Sequence, residues 1–98
     1  MAAITVSLTS GDYQADPLEF QVEVSENNIK TTHQVSASQE MYQKLTGGLK
    51  SPEQLVRSSF EFLLEREKKE QILASFDLSQ IKQYFPEYEA VMAATLAR

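Results

Sequence analysis

The chain has 98 residues, of which 42% are hydrophobic and 23% charged, so it is long enough for one globular domain and too short for two independent cores. Its formal net charge of −5 argues against a nucleic-acid partner, because affinity for phosphates depends on clustered Lys and Arg side chains. It contains no cysteine, which excludes disulfides, thiol nucleophiles and thiolate metal sites.

The first ten residues, MAAITVSLTS, have neither the basic segment nor the sustained apolar run of a secretory signal. No stretch of the chain approaches the roughly 20 apolar residues that a membrane span needs. We therefore expect a cytoplasmic protein that does not enter a membrane. The sequence patterns predict neither a metal site nor a cofactor site.

Apolar and polar residues alternate in three N-terminal segments, which predicts three half-buried strands at residues 4–9, 18–25 and 29–36. Between the second and third segments, Asn27 and Asn28 tolerate positive φ and predict a two-residue hairpin turn. This loop length fixes the register of the hairpin. The predicted pairs are Val24 with Thr31, Glu23 with Thr32, Val22 with His33, Gln21 with Gln34 and Phe20 with Val35.

The hydrophobic period becomes helical after residue 36. Ser36 and Gln39 have the spacing of a capping box and predict the start of a short helix. Gly47 and Gly48 predict its end, because glycine readily takes the left-handed conformation that follows many helices.

A longer helix is predicted over residues 52–69, with Ser51 as its N-cap and Gln54 completing a capping box. Its polar face includes Glu65 and Lys69, an i,i+4 pair in the favourable order. Short helices with a break near Asp77 follow, and Pro86 predicts the start of a final helix.

Together these elements predict a single α+β domain over residues 1–98. It consists of a three-stranded antiparallel β-meander followed by three to five α-helices packed on one face of the sheet. The three-stranded sheet has a free edge, which a solitary domain must protect or use for strand addition.

The pattern SFEFLLERE…FDL..I..YFPEYE, from Ser59 to Glu89, resembles the motif of a family of small single-domain bacterial proteins of unassigned function. It covers about a third of the chain. Members of that family often carry a proline after LERE, where this chain has Lys68. The resemblance implies a bacterial, cytoplasmic origin, and it implies no catalytic residues.

His33 is the only histidine, and the hairpin register places it on the same side as Val22 and Val35. A second His or Cys that would complete a metal site is missing, and so is a Ser or Asp at the spacing of a catalytic triad. The interpretations left open are a packed or edge-exposed structural histidine and a member of a ligand pocket.

Arg66 projects near the apolar arc of the long helix rather than onto its charged face. The predicted partners of its guanidinium are Glu87, Glu89 or a carboxylate of the sheet, for an ion pair, and Tyr84 or Tyr88, for stacking. An arginine that lies along the helix end with its charged head in water is the alternative. The aromatic residues of this region are typical of a helical core, and they would also suit a pocket or an interaction surface.

The leading functional hypothesis is a non-enzymatic protein-interaction or regulatory module, with an unidentified protein or a second copy of the chain as its partner. The predicted contact surface is the sheet edge or the C-terminal helices, with Arg66, Tyr84, Glu87, Tyr88 and Met92. The alternative is a small-ligand-binding protein or minor enzyme with a pocket between sheet and helices near His33 and Tyr84. An acidic, antitoxin-like partner role is not separable from the first hypothesis by sequence.

Overall fold

The computed structural model describes residues 2–96, which form a four-stranded sheet with helices packed on it. The strands are β1 (Ala3–Leu8), β2 (Leu18–Glu26), β3 (Ile29–Ala37) and β4 (Ser75–Asp77), and they lie in the order β1-β2-β3-β4. The predicted α+β class is confirmed. The predicted three strands are completed by a fourth, so the sheet is mixed rather than purely antiparallel.

The β2–β3 hairpin has the register that the sequence predicts, and all five predicted residue pairs are present. Asn27 and Asn28 form the turn with φ of 55° and 67°, positive values that asparagine tolerates better than most residues. Because side chains alternate between the two faces of a strand, this register buries the apolar row of β2 against the helices. That row is Leu18, Phe20, Val22 and Val24.

β4 is not predicted from the sequence, which indicates short helices with only a break near Asp77 in this region. It pairs parallel to β3, with Phe76 opposite Val35. The Ser36 hydroxyl donates to a carboxylate oxygen of Asp77 at 2.6 Å and links the two strands. A strand of three residues is too short to show an alternating pattern in the sequence. β4 is recognised only by its pairing with β3, some 40 positions earlier in the chain.

Four α-helices follow the hairpin: α1 (Gln39–Thr46), α2 (Pro52–Leu64), α3 (Ile81–Tyr84) and α4 (Tyr88–Leu96). Short 3₁₀ turns at 69–71 and 78–80 lie on either side of β4. The expected cap of α2 is confirmed: the Ser51 hydroxyl accepts from the Gln54 N–H, and the Gln54 side chain accepts from the Ser51 N–H. Pro86 lies in the turn before α4.

The expected cap of α1 is wrong. Ser38 is the N-cap, and its hydroxyl accepts from the Met41 N–H at 3.0 Å. Ser36 lies two residues earlier, inside β3. The strand continues through Ala37, whose buried side chain extends the apolar row of β3, and this burial overrides the local capping pattern. Gly47 ends α1 in the left-handed conformation, as expected.

Helix α2 ends at Leu64, five residues before the predicted Lys69. The N–H groups of Arg66 and Glu67 both donate to the Leu63 carbonyl, which closes a tight turn. The expected Glu65 to Lys69 pair does not form. The reversal brings Ile72 back onto the core, where its side chain is 6% exposed.

The core lies between one face of the sheet and the helices, with the α2 side chains Leu55, Val56 and Phe60 at its centre. His33 and Phe76 both contact the Phe60 ring, with centroids at 5.3 and 5.9 Å. Within residues 2–96, no helix combines the length and the apolar character needed to cross a membrane.

Candidate functional site

The chain forms a cleft of about 180 Å³ where it reverses direction after α2. The cleft lies between the C-terminal end of α2, the segment 65–74, β4 and α3, and is called the Tyr84 cleft below. It is lined by Leu63, Glu67, Gln71, Ile72, Leu73, Phe76, Gln80, Ile81, Tyr84 and Phe85.

The walls of the Tyr84 cleft are held by local capping interactions. The Asp77 carboxylate accepts from the Ser79 N–H and hydroxyl, and the Gln80 side chain accepts from the Asp77 N–H at 2.8 Å. On the opposite wall, the Gln71 side chain accepts from the Lys68 N–H at 3.1 Å. Two glutamines that line the cleft therefore also fix its two short 3₁₀ turns.

The floor of the cleft is apolar and buried, and its rim is apolar and exposed. Leu63, Phe76 and Ile81 are each less than 10% exposed and form the floor. At the rim, Leu73 is 47% exposed and Tyr84 is 65% exposed. Tyr84 is the most exposed large hydrophobic side chain between residues 2 and 96.

Glu67 is the one charged residue among those lining the cleft. It forms no ion pair within the described part of the chain. Partial burial raises the pKa of its carboxyl above the ordinary value, because removal from water disfavours the charged form. A positive group that entered the cleft would therefore gain a carboxylate partner.

His33 does not line the Tyr84 cleft. Its side chain is 2% exposed, with Nδ1 2.8 Å from the Leu73 carbonyl oxygen and Nε2 2.9 Å from the Thr31 hydroxyl. A carbonyl oxygen only accepts, so Nδ1 carries a proton, and in the neutral ring Nε2 accepts from Thr31. Both nitrogens have partners, and the residue joins β3 to the segment that carries Leu73.

Arg66 contacts one of its predicted partners, Glu87, and two residues that the sequence does not predict, Phe62 and Glu65. Its guanidinium donates to the Glu87 carboxylate at 3.3 Å and to the Phe62 carbonyl at 2.9 Å. The same group lies 3.6 Å from the centre of the Phe62 ring, in a cation–π contact. Neither Arg66 nor Glu87 lines the cleft.

Tyr88 and Met92 are core residues, so they are not available on the surface of the folded chain. Tyr88 is fully buried and Met92 is 3% exposed. Their i,i+4 spacing, continued by Leu96, is the signal that they share the buried face of α4. Of the five contact residues predicted from the sequence, three lie at the surface: Arg66, Tyr84 and Glu87.

Leu73 and Glu67, which line the same cleft as Tyr84, are not among the residues that the sequence predicts for a contact surface or a pocket. The predicted continuation of α2 to Lys69 leaves no place for the reversal that brings them there. No signal in the separate segments shows that the reversal at Glu65 brings these residues to one cleft.

The part of the chain that the structure describes contains no group of three or more His, Asp or Glu side chains placed to hold a metal ion. Comparisons with protein-family models, with curated proteins and with solved structures find no match.

Proposed function

We propose that this chain is a non-enzymatic protein-interaction module that binds a segment of a partner protein in the Tyr84 cleft. The observation that carries the proposal is the pair of exposed apolar side chains, Leu73 and Tyr84, at the rim of a concave apolar site. Exposed aromatic side chains beside a pocket that excludes water are typical of the residues that dominate protein interfaces.

The size of the cleft suits one side chain of the partner. A cavity of about 150 Å³ holds a benzene molecule, so about 180 Å³ accommodates an aromatic ring or a branched aliphatic group. Small-molecule sites are commonly larger, at roughly 300–1,000 Å³. The partner therefore inserts an anchor residue rather than a whole ligand.

The charge of the site adds a second requirement on the partner. Glu67 lines the cleft, and the whole chain carries a net charge of −5. A Lys or Arg beside the anchor residue would pair with Glu67 and would be attracted to the acidic surface. The proposed partner segment is thus apolar with an adjacent basic residue.

The small-ligand alternative receives less support from the geometry. His33, on which that hypothesis relied, has both ring nitrogens occupied and lies outside the cleft. The polar side chains at the site are Glu67 and two glutamines that serve as caps, an arrangement without a paired nucleophile and base.

The test is a comparison of two double variants with the wild-type protein. L73S/Y84S removes both rim side chains, and Y13S/L49S removes a tyrosine and a leucine that are similarly exposed elsewhere, at 52% and 59%. A partner captured from the lysate of the host cell is purified, and its affinity for each form is measured by calorimetry. Truncation of hot-spot residues costs about 2 kcal/mol or more, which is roughly 30-fold in Kd.

We expect the loss for L73S/Y84S and unchanged affinity for Y13S/L49S. Equal affinity of all three forms would show that the partner does not bind at the Tyr84 cleft. Thermal unfolding of each variant checks that the fold is retained. A rise in melting temperature with a small molecule and no captured protein would instead favour the ligand-binding alternative.

A further inference from the structure

The outer edge of β1 carries backbone hydrogen-bonding groups that pair with no other strand of the described chain. β1 is the first strand of the sheet and pairs only with β2 among residues 2–96. In an antiparallel pair, successive residues direct their N–H and C=O groups alternately toward and away from the neighbouring strand. Half of the groups of β1 therefore point outward.

One hydrogen bond identifies which residues point outward. The Thr9 N–H donates to the Glu19 carbonyl at 2.8 Å, continuing the β1–β2 register in which Leu8 lies opposite Phe20. The backbone N–H and C=O groups of Thr9 thus point toward β2, and by alternation so do those of Thr5 and Ser7. Ile4, Val6 and Leu8 direct their N–H and C=O groups to the open edge.

The open edge lacks the features that usually prevent strands from pairing between molecules. β1 has the sequence AITVSL, with no charged residue and no proline. Natural edge strands are commonly protected by lysine, proline or an inward-pointing charge. In a chain of net charge −5, this uncharged strand is a place where two copies approach without local repulsion.

We propose that β1 pairs antiparallel with β1 of a second copy around a two-fold axis at Val6. Val6 lies opposite Val6 of the second copy, and Ile4 lies opposite Leu8 of the second copy. All three outward-facing residues then exchange hydrogen bonds, six in total by the antiparallel pattern. The result is a continuous eight-stranded sheet.

Side-chain chemistry favours a second copy as the occupant of this edge. A two-fold axis perpendicular to the sheet keeps its faces aligned, so half-buried Ile4, Val6 and Leu8 meet the same apolar row. On the other face, Thr5 lies opposite Ser7 of the second copy, and both are small and polar. If the two-fold axis passed through Thr5 instead, only Ile4 and Val6 of β1 would form hydrogen-bonded pairs with the second copy, and the interface would contain four hydrogen bonds.

The register is tested with two variants that share one substitution. T5K/S7K places two lysines opposite each other at both symmetry-related positions, and T5K/S7E places opposite charges there. In both variants the lysine at position 5 lies beside Glu23 of β2, and position 7 lies beside Gln21. Sedimentation velocity over a concentration series measures the dimer Kd against the 11.1 kDa monomer.

We expect wild type and T5K/S7E to dimerise, with a dimer Kd roughly tenfold or more higher for T5K/S7K. A wild-type chain that stays monomeric overturns the proposal. If both variants dimerise equally, the dimer interface does not include β1. If L73S/Y84S no longer dimerises, the interface lies at the Tyr84 cleft. Loss of the dimer in both charged variants rules out the Val6 register.

Hydrogen exchange of the wild-type protein gives a readout that needs no substitution. The amides of Ile4, Val6 and Leu8 slow as the dimer forms, whereas those of Thr5 and Ser7 are protected at every concentration by β2. Rapid exchange at Ile4, Val6 and Leu8 in a sample shown to be dimeric contradicts the proposal.

Discussion

Two buried hydroxyl groups join α2 to α4. The Ser59 hydroxyl donates to the Leu55 carbonyl at 2.8 Å, so the Tyr88 hydroxyl, 2.6 Å away, donates to the Ser59 oxygen. Burial raises the pKa of Tyr88 well above its ordinary value of 10.0, which keeps the phenol protonated as a donor. The pair satisfies polar atoms inside an otherwise apolar contact.

The two hydroxyl groups are expected to be energetically coupled. Ser59→Ala leaves the buried Tyr88 hydroxyl without its acceptor and should cost about 2 kcal/mol, whereas Tyr88→Phe should cost about 1 kcal/mol. The double variant S59A/Y88F should cost less than the sum, because no unsatisfied donor remains. Urea unfolding of the wild type, the two single variants and the double variant measures the coupling energy of this double-mutant cycle. Strict additivity would show that the 2.6 Å contact contributes no coupling.

Arg66 is also explained at the level of single contacts. Its guanidinium lies on the Phe62 ring and donates to Glu87, so it holds the end of α2 against the start of α4. Its side chain remains 26% exposed. A structural role accounts for its contacts, and the proposed interaction surface does not require it.

The start of α1 shows how an element boundary depends on its neighbours. Ser36 and Ser38 both precede a helical stretch, and only Ser36 has a residue three positions later, Gln39, that would complete a capping box. The β2–β3 register extends to the Leu18–Ala37 pair, so Ser36 belongs to the strand and bonds Asp77. Ser38 is the first residue free to take the cap.

Replacement of the Ser38 cap should destabilise the domain. Ser38→Ala removes the acceptor of the Met41 N–H and should lower the free energy of unfolding by about 1 kcal/mol. Ser58→Ala, inside α2, is the control and should change it by less than about 0.5 kcal/mol. Guanidinium unfolding provides the comparison. A Ser38→Ala protein as stable as wild type would mean that the cap contributes nothing.

At the scale of the whole molecule, one carboxylate links three helices. Glu89 of α4 pairs with Lys44 of α1 at 2.9 Å and with Lys82 of α3 at 3.5 Å. The hydrogen bond from Lys44 is the main cause that holds the pKa of Glu89 below its ordinary value. These helices pack around the C-terminal end of the fold, and Glu89 is their common partner.

Glu89 should contribute stability that depends on pH. Its pKa is lower in the folded chain than the unfolded value of 4.5, so the contribution is present above pH 4.5 and lost as pH falls through the folded pKa. Glu89→Gln should cost at most about 1 kcal/mol near pH 7, since both lysines are more than half exposed.

Thermal unfolding between pH 3 and pH 7 checks this expectation. The difference between wild type and Glu89→Gln should shrink toward zero at the acidic end. Glu61→Gln, an exposed residue of α2, is the control and should match wild type throughout. A difference that stays constant with pH would show that the side-chain shape, and not the ion pairs, is responsible.

The two proposed surfaces lie at opposite edges of the sheet. β1 forms one edge, and β4, which contributes Phe76 to the Tyr84 cleft, forms the other. Pairing through β1 therefore leaves both clefts of a dimer accessible. A partner with two suitable segments would then bind with higher apparent affinity than a single segment, provided that it spans the distance between the clefts.

The sequence by itself determined the features that depend on neighbouring residues. Alternation over nine residues and a two-residue turn specify the β2–β3 register, since a shift of one position would expose the apolar row. The Ser51 cap and the Gly47 stop are equally local, because each satisfies groups within one helical turn.

Only the tertiary structure decided the features that join distant segments. β4 exists because β3 offers it hydrogen bonds, and α2 ends early because the reversal brings Ile72 onto the core. The contact of His33 with the Leu73 carbonyl and the position of Leu73 beside Tyr84 follow from that reversal, whereas Tyr88 is buried by contacts with Ser59 and Phe62 of α2. Such contacts form between residues far apart in the chain, so no local period or motif encodes them.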